Sequence, residues 1–200
     1  MKLQDLCIVF ICPDHNEKYH ERKLHMETLL KNLGCKYVTH YKSGTENYPA
    51  CLTSATIDIL ESHMDIPVLI LEDDVEFTGV DTFELDTDVD AIYLGLSVYG
   101  GHPIENSRYG TACFTTYSDR QIRVLNMLSS HAIMYISPRY KRAVIDLLSP
   151  YKDISYYNDV LLSRIQENYH ILANKKPSFY QSARFNVGFN EENATKIELD

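Results

Sequence analysis

An α/β fold with a mostly parallel central sheet flanked by helices follows from two features of this 200-residue chain. Short apolar runs alternate with segments whose apolar residues recur every three or four positions. One of those runs, Val68-Leu69-Ile70-Leu71, is bounded by Pro67 and ends abruptly in Glu72-Asp73-Asp74. A run of that kind reads as a strand buried on both faces. In open α/β sheets ligands sit beyond the carboxyl ends of the strands, which is where these acids fall.

The elements read in order as follows. Leu6 to Cys12 is a buried strand ended by Pro13. A helix spans about Asn16 to Leu33, with Met26, Leu29, Leu30 and Leu33 on one face and Gly34 placed to terminate it. Lys36 to Tyr41 is a second strand, and Ser43 to Asn47 a loop. A helix from Pro49 to about His63 carries the stripe Leu52, Thr56, Ile59 and Leu60. The strand at Val68 follows, then an acidic, turn-rich segment from Glu76 to Asp90, then a strand from Ala91 to Leu96. Val98 to Asp119, rich in Gly and Tyr, reads as a surface excursion beside the site, with Tyr99, Tyr109 and Tyr117 available to line an acceptor site or lid. Ile122 to Leu128 is a short element and Ala132 to Ile136 a strand. Ser137-Pro138 starts a helix as N-cap and first residue. Ser155 is an N-cap candidate for a last helix reaching Tyr169. His170–Ala173 and Ser178–Tyr180 are short strands. The chain reads as one domain over residues 1–200, with 184–200 a flexible or site-covering tail anchored by Phe185, Val187 and Phe189.

Composition narrows the classes. With 44% hydrophobic and 24% charged residues the chain can bury a core, which argues against disorder. Its 19 basic against 28 acidic residues, net −9, disfavour generic binding to nucleic acid or anionic membranes. Five cysteines are scattered without a CxxC pair, which reads as reduced thiols in a cytoplasmic protein rather than a zinc site or disulfide framework. No apolar run approaches membrane-spanning length.

Three carboxylates at a buried strand end repel one another and require a counter-charge. A hard divalent cation, Mn²⁺ or Mg²⁺, supplies it, with phosphate and water oxygens completing the shell. Asp74 is the expected metal ligand, and Glu72 or Asp73 serves the metal shell or a ribose hydroxyl. Arg22 and Lys23 could meet diphosphate charge, although Glu17, Lys18 and Glu21 make an ordinary solvated helix face of the same residues. His102 and His131 could touch metal or phosphate, or serve as structural histidines. Asp159 stands near a helix start, where the dipole favours a carboxylate.

Leu69-Ile70-Leu71-Glu72-Asp73-Asp74-Val75 resembles the LEDDV signature of the family 25 glycosyltransferases. Further stretches resemble that family in the same order. Tyr48 to Ala55 is similar to its GCxxSH helix start, with Ala55 in place of His. Asp90 to Gly95 is similar to DxIYLG, Ser130 to Ser137 to TxGYxIS, and Lys176 to Ser182 to PPLFxQ. Small virus-encoded transferases of the GT-A fold are similar in size. The resemblance implies a GT-A fold and a hexosyltransferase that moves sugar from a nucleoside-diphosphate donor, UDP by prior, to a glycan or glycoprotein hydroxyl, with inversion. It implies a DxD-like metal motif, a base contact at Ile11, Cys12 and Pro13, and Asp159 as the base that deprotonates the acceptor, Asp153 being its nearest competitor. Two other classes fit the acids: a metal-dependent phosphohydrolase or nuclease, and a non-catalytic carbohydrate- or nucleotide-binding module.

Overall fold

A computed structural model describes residues 1–101, 110–185 and 195–200. The elements are β1 (Cys7–Ile11), α1 (Glu17–Asn32), β2 (Tyr37–Tyr41), α2 (Ala50–Ser62), β3 (Val68–Glu72), β4 (Val75–Phe77), β5 (Ala91–Tyr93), β6 (Tyr99–Gly100), β7 (Gly110–Thr111), β8 (Cys113–Thr116), β9 (Gln121–Asn126), β10 (Ala132–Tyr135), α3 (Pro138–Leu148), α4 (Asn158–Ser163), β11 (Ile171–Asn174) and β12 (Phe179–Gln181). Eight strands form one sheet in the order β2-β1-β3-β10-β5-β11-β9-β8. β2, β1, β3, β5, β11 and β8 run one way, and β10 and β9 run against them. The sheet is therefore mostly parallel in strand sense. The inserted β10 makes both of its own pairings antiparallel.

The apolar runs are continuous because the sheet is covered on both sides. Val9, Ile11, Val68, Ile70, Tyr93 and Tyr135 face one core with α2 and α3, through Leu60, Tyr140 and Val144. Ile8, Phe10, Leu69, Leu71 and Met134 face the other with Met26 and Leu30 of α1. The central strands β1, β3, β5, β10 and β11 thus alternate between two apolar layers instead of between core and water.

Several helix ends follow local chemistry. Asn16 Oδ1 accepts from Tyr19 N at 3.2 Å at the start of α1, and Ser137 accepts from Tyr140 N at the start of α3. Gly34, at φ +72°, follows the end of α1. The last helix departs from expectation. Ser155 does not cap it; its hydroxyl donates to Tyr48 O at 3.1 Å, and α4 runs only from Asn158 to Ser163. Gln166 explains the early end. Its amide is fully buried, donates to Tyr93 OH and Met127 O and accepts from Met127 N at 2.7 Å. Those tertiary bonds hold the chain in a 3-10 turn, Gln166–Asn168.

The Gly- and Tyr-rich segment is also not a mere excursion. Its described parts form the β6–β7 hairpin, and β8 pairs with β9 as an outer strand of the main sheet. His102 and Tyr109 lie outside the described residues, as do Val187 and Phe189. The acidic segment after the third strand contains β4, which pairs with β12.

Two buried polar groups set the strand ends. Lys141 on α3 is fully buried and donates to the carbonyls of His63, Met64 and Ile66, pinning the turn that leads into β3. Asp90 is 1% exposed and accepts from Arg139 through both oxygens, from Ser137 Oγ and from His170 N. It ties the starts of β5, α3 and β11 together. Burial pushes the Asp90 carboxyl up, but Arg139, Ser137 and the His170 N–H outweigh burial and hold it below the usual range.

A lowered pKa gives stability that is present above the ordinary carboxylate value and is lost as pH falls through the folded-state value. Asp90→Asn is expected to cost about 2 kcal/mol at pH 7. Its melting temperature should converge on that of the wild type as pH falls below about 4. A gap that stays constant down to strong acid, measured by thermal melts across pH, would refute this account.

Candidate active site

The carboxyl ends of β1 and β3 open into a cleft of about 670 Å³. Its wall at the β1 end is built from Ile11, Pro13, Lys18, Tyr19 and Arg22, and Ser43, Gly44 and Thr45 follow β2. The strand-end acids Glu72, Asp73 and Asp74 form the floor, flanked by Ser130 and Gln181. Tyr48, Tyr157, Asn158 and Asp159 form the far side. The fold thus brings Ile11, Pro13, Arg22, Glu72, Asp73, Asp74 and Asp159 to one concavity. Cys12 stands apart: it is fully buried, and its thiol donates to Pro13 O at 3.1 Å beneath the cleft wall. Lys23 does not line the cleft; its ammonium faces Asp14 at 4.0 Å.

Each acid has a different environment. Asp73 Oδ1 accepts from Arg22 Nη1 at 2.7 Å, and both residues are buried. Arg22 occupies the inward stripe of α1, one turn before Met26, which carries it under the strand end. Its Nη2 also donates to Phe185 O at 2.5 Å. Burial works against the guanidinium charge, but Asp73 and Asp74 outweigh it and hold the proton more tightly. Glu72 Oε1 accepts from Ser130 Oγ at 2.5 Å, and Oε2 faces Gln181 Nε2 at 3.4 Å. Burial and then the Asp74 charge push Glu72 up to about 8; Asp159 and Asp73 add to this and the Ser130 bond opposes it. Asp74 is buried at the cleft floor, and its carbonyl accepts from Ser182 N.

Asp159 is half-buried and accepts from Val160 N at 2.8 Å. Burial raises its pKa and the backbone N–H bond opposes the rise. Its neighbour Asn158 fixes the segment: Oδ1 accepts from Thr53 Oγ1 at 2.7 Å and Nδ2 donates to Thr56 Oγ1 at 3.2 Å. The base candidate is therefore clasped to α2 through the residue before it.

The donor set suits a hard cation in one respect. Glu72 and Asp74 present carboxylate oxygens whose mutual repulsion a cation would offset. Asp73 is already neutralised by Arg22. Among the described residues no three His, Cys, Asp or Glu converge as a closed cage. The residues thus fit a cation held by Asp74 and Glu72 together with oxygens of a bound ligand.

His131 is a structural histidine. It is buried, its Nδ1 meets Ser129 Oγ at 3.1 Å, and burial pulls it down to about 4, so it is neutral at physiological pH. A Cβ at Gly95 would overlap its ring, which accounts for the glycine there. Lys18, Ser130, Gln181, Tyr157 and Asn158 were not singled out as site residues from sequence. Tyr157 and Asn158 lie beside Asp159, Ser130 and Gln181 lie in stretches that resemble family 25 motifs, and Lys18 reads only as part of a solvated helix face.

No family model matches the chain, and no curated protein matches it. Solved structures do align with it. An apo UDP-glucose pyrophosphorylase aligns at 10% identity over 90% of this chain and 73% of that one, with a TM-score of 0.46. A UDP-glucose pyrophosphorylase complexed with UDP-glucose aligns at 12% over 94% and 80%, with a TM-score of 0.49. A nucleoside-diphosphate-sugar pyrophosphorylase from Vibrio cholerae RC9 aligns at 11% over 82% and 70%, with a TM-score of 0.43. Identities and scores this low say nothing about the reaction, so the family 25 resemblance stands on its quoted motifs alone. Among the described residues, no helix is long and apolar enough to cross a membrane.

Arg22→Met should destabilise the fold by about 3 kcal/mol, because it leaves the Asp73 charge buried without its partner. Arg22→Met combined with Asp73→Asn should recover much of that loss in urea unfolding. Equal losses in the single and double variants would show that Arg22 acts through packing alone.

Proposed function

We propose that this chain is a glycosyltransferase that moves a sugar from a nucleoside-diphosphate sugar to a hydroxyl of a glycan or glycoprotein. The observation that carries the reading is the convergence of Glu72 and Asp74 with Asp159, from distant segments, on one cleft. A diphosphate-facing group and a separate carboxylate base are the two functions such a transfer requires. A phosphohydrolase working through two metals would need a second set of acids or histidines. The cleft's remaining carboxyls are Asp73, which is paired with Arg22, and Asp159, on the far side.

In this reading Ile11, Pro13 and the Ser43–Thr45 loop take the nucleoside. Lys18, on the same wall, meets diphosphate charge. Asp74 and Glu72 would hold Mn²⁺ or Mg²⁺, which would supply positive charge against the departing diphosphate. Asp159 accepts the proton from the acceptor hydroxyl. The hydroxyl oxygen bonds to the anomeric carbon as the bond to the diphosphate oxygen breaks, and that oxygen keeps the electron pair. Inversion is proposed on the family 25 resemblance. Burial around Asp159 makes it a stronger base than a solvated carboxylate.

Asp74→Asn should abolish Mn²⁺-dependent UDP binding in calorimetry without lowering the melting temperature. Undiminished titration by UDP would refute the metal assignment. Asp159→Asn should keep UDP affinity and lose at least about 100-fold in transfer rate. A near wild-type rate would remove Asp159 as the base. Formation of UTP from UDP-sugar and pyrophosphate would replace the whole reading with nucleotidyl transfer.

A further inference from the structure

Two exposed tyrosines stand at the mouth of the cleft. Tyr48 is 61% exposed and Tyr157 45%. Their rings meet edge to face, with centroids 6.2 Å apart and planes at 74°. Together they form an apolar corner on the side of the cleft that holds Asp159.

This corner is built and held by named bonds. Tyr48 precedes α2, and Tyr157 immediately precedes α4. Ser155 Oγ donates to Tyr48 O at 3.1 Å, joining the two segments directly. Asn158, next to Tyr157, is bonded to Thr53 and Thr56 of α2. Both rings are thus referenced to the same helix. The Tyr48 phenol is pushed up by burial and then by Glu72, Tyr157, Asp74 and Asp159, so its oxygen lies in the field of the acids while part of its ring remains open.

We propose that Tyr48 and Tyr157 form the platform for the acceptor sugar, a pyranose that stacks its C–H face on this corner and presents a hydroxyl to Asp159. This rests on the transferase reading above. Tyrosine suits a sugar because it offers an apolar face beside a polar handle. The position favours the acceptor over the nucleobase. Tyr157 lies two residues from the proposed base, and an acceptor hydroxyl must come within hydrogen-bond reach of that base. The nucleoside wall, Ile11, Pro13 and Ser43 to Thr45, belongs to the ends of β1 and β2 instead.

The test uses methyl β-D-galactopyranoside and methyl β-D-glucopyranoside as probes in saturation-transfer NMR, with UDP and Mn²⁺ titrated separately by calorimetry. Wild-type protein should transfer saturation to the ring C–H protons of at least one glycoside. Tyr48→Ala and Tyr157→Ala should each weaken that glycoside about tenfold, the loss of one stacking contact. Tyr48→Phe and Tyr157→Phe, which keep the ring, should bind it nearly as the wild type does. UDP affinity should be unchanged in all four variants. Glycoside binding that survives both alanine changes, or that the wild type lacks, overturns the platform. A UDP affinity that falls in step with the glycoside's assigns the rings to the nucleoside and also overturns it. Failure of UDP to bind the wild type counts against the transferase reading instead, whatever the glycosides do.

Discussion

The Arg22–Asp73 ion pair is the interaction on which the cleft depends. Three consecutive carboxylates at the end of a strand buried on both faces would be prohibitive without a counter-charge. Arg22 provides one from 51 positions away, on the inward stripe of a helix that otherwise packs Met26 and Leu30. It adds a bond to Phe185 O, which brings the segment after β12 against the same point. A buried pair of this sort adds little net stability, but it fixes geometry. Here it sets α1, the end of β3 and residue 185 relative to one another. Asp73 is thereby satisfied within the protein, and Glu72, Asp74 and Asp159 are the other carboxyls of the cleft.

That division of labour gives the cleft its electrostatic character. Glu72 is pushed up to about 8 by burial and by Asp74, so the floor resists holding its full negative charge. A cation at the floor would relieve the repulsion. The supports lie further back. Lys141 holds the entry to β3 through three carbonyls, and Asp90 holds the starts of β5, α3 and β11. Each is a buried charge whose partners surround it, and each fixes a strand end.

Features carried by neighbouring residues were legible in sequence. The runs at Leu6 to Cys12, Val68 to Leu71 and Ala132 to Ile136 end within a residue of β1, β3 and β10, because coverage on both faces leaves continuous hydrophobic segments, whereas the run at Ala91 to Leu96 outlasts β5 by three residues. Glu72-Asp73-Asp74 was recognisable because its context is local. Long-range partners were not. Arg22 sits among Glu17, Lys18 and Glu21 and reads as a solvated helix face until Asp73 is placed beneath it. Ser155 looks like an N-cap, but its hydroxyl is taken by Tyr48 O. The helix expected to reach Tyr169 stops because Gln166 is drawn inward by Tyr93 and Met127, groups far away in sequence. β8 has the sequence character of a loop because its residues are exposed or half-buried at the sheet margin, where no apolar alternation is imposed.

The segment Ser155–Asp159 shows why the site's parts belong together. Five residues supply a strut to Tyr48, a ring at the cleft mouth, an amide clasp to α2 and the carboxylate proposed as base. α4 is too short to hold such a constellation by its own hydrogen bonds. Its placement comes from α2, through Thr53 and Thr56, and α2 itself packs on the sheet face beside β1 and β3. Any displacement of α2 therefore moves the aromatic corner and Asp159 together, relative to acids that α1 holds through Arg22. The aromatic corner and Asp159, the acceptor platform and base of the proposed transfer, therefore share one support, and the floor acids have another. A shared support suits the proposed transfer, in which the acceptor hydroxyl must lie within reach of its base and of the donor's anomeric carbon together.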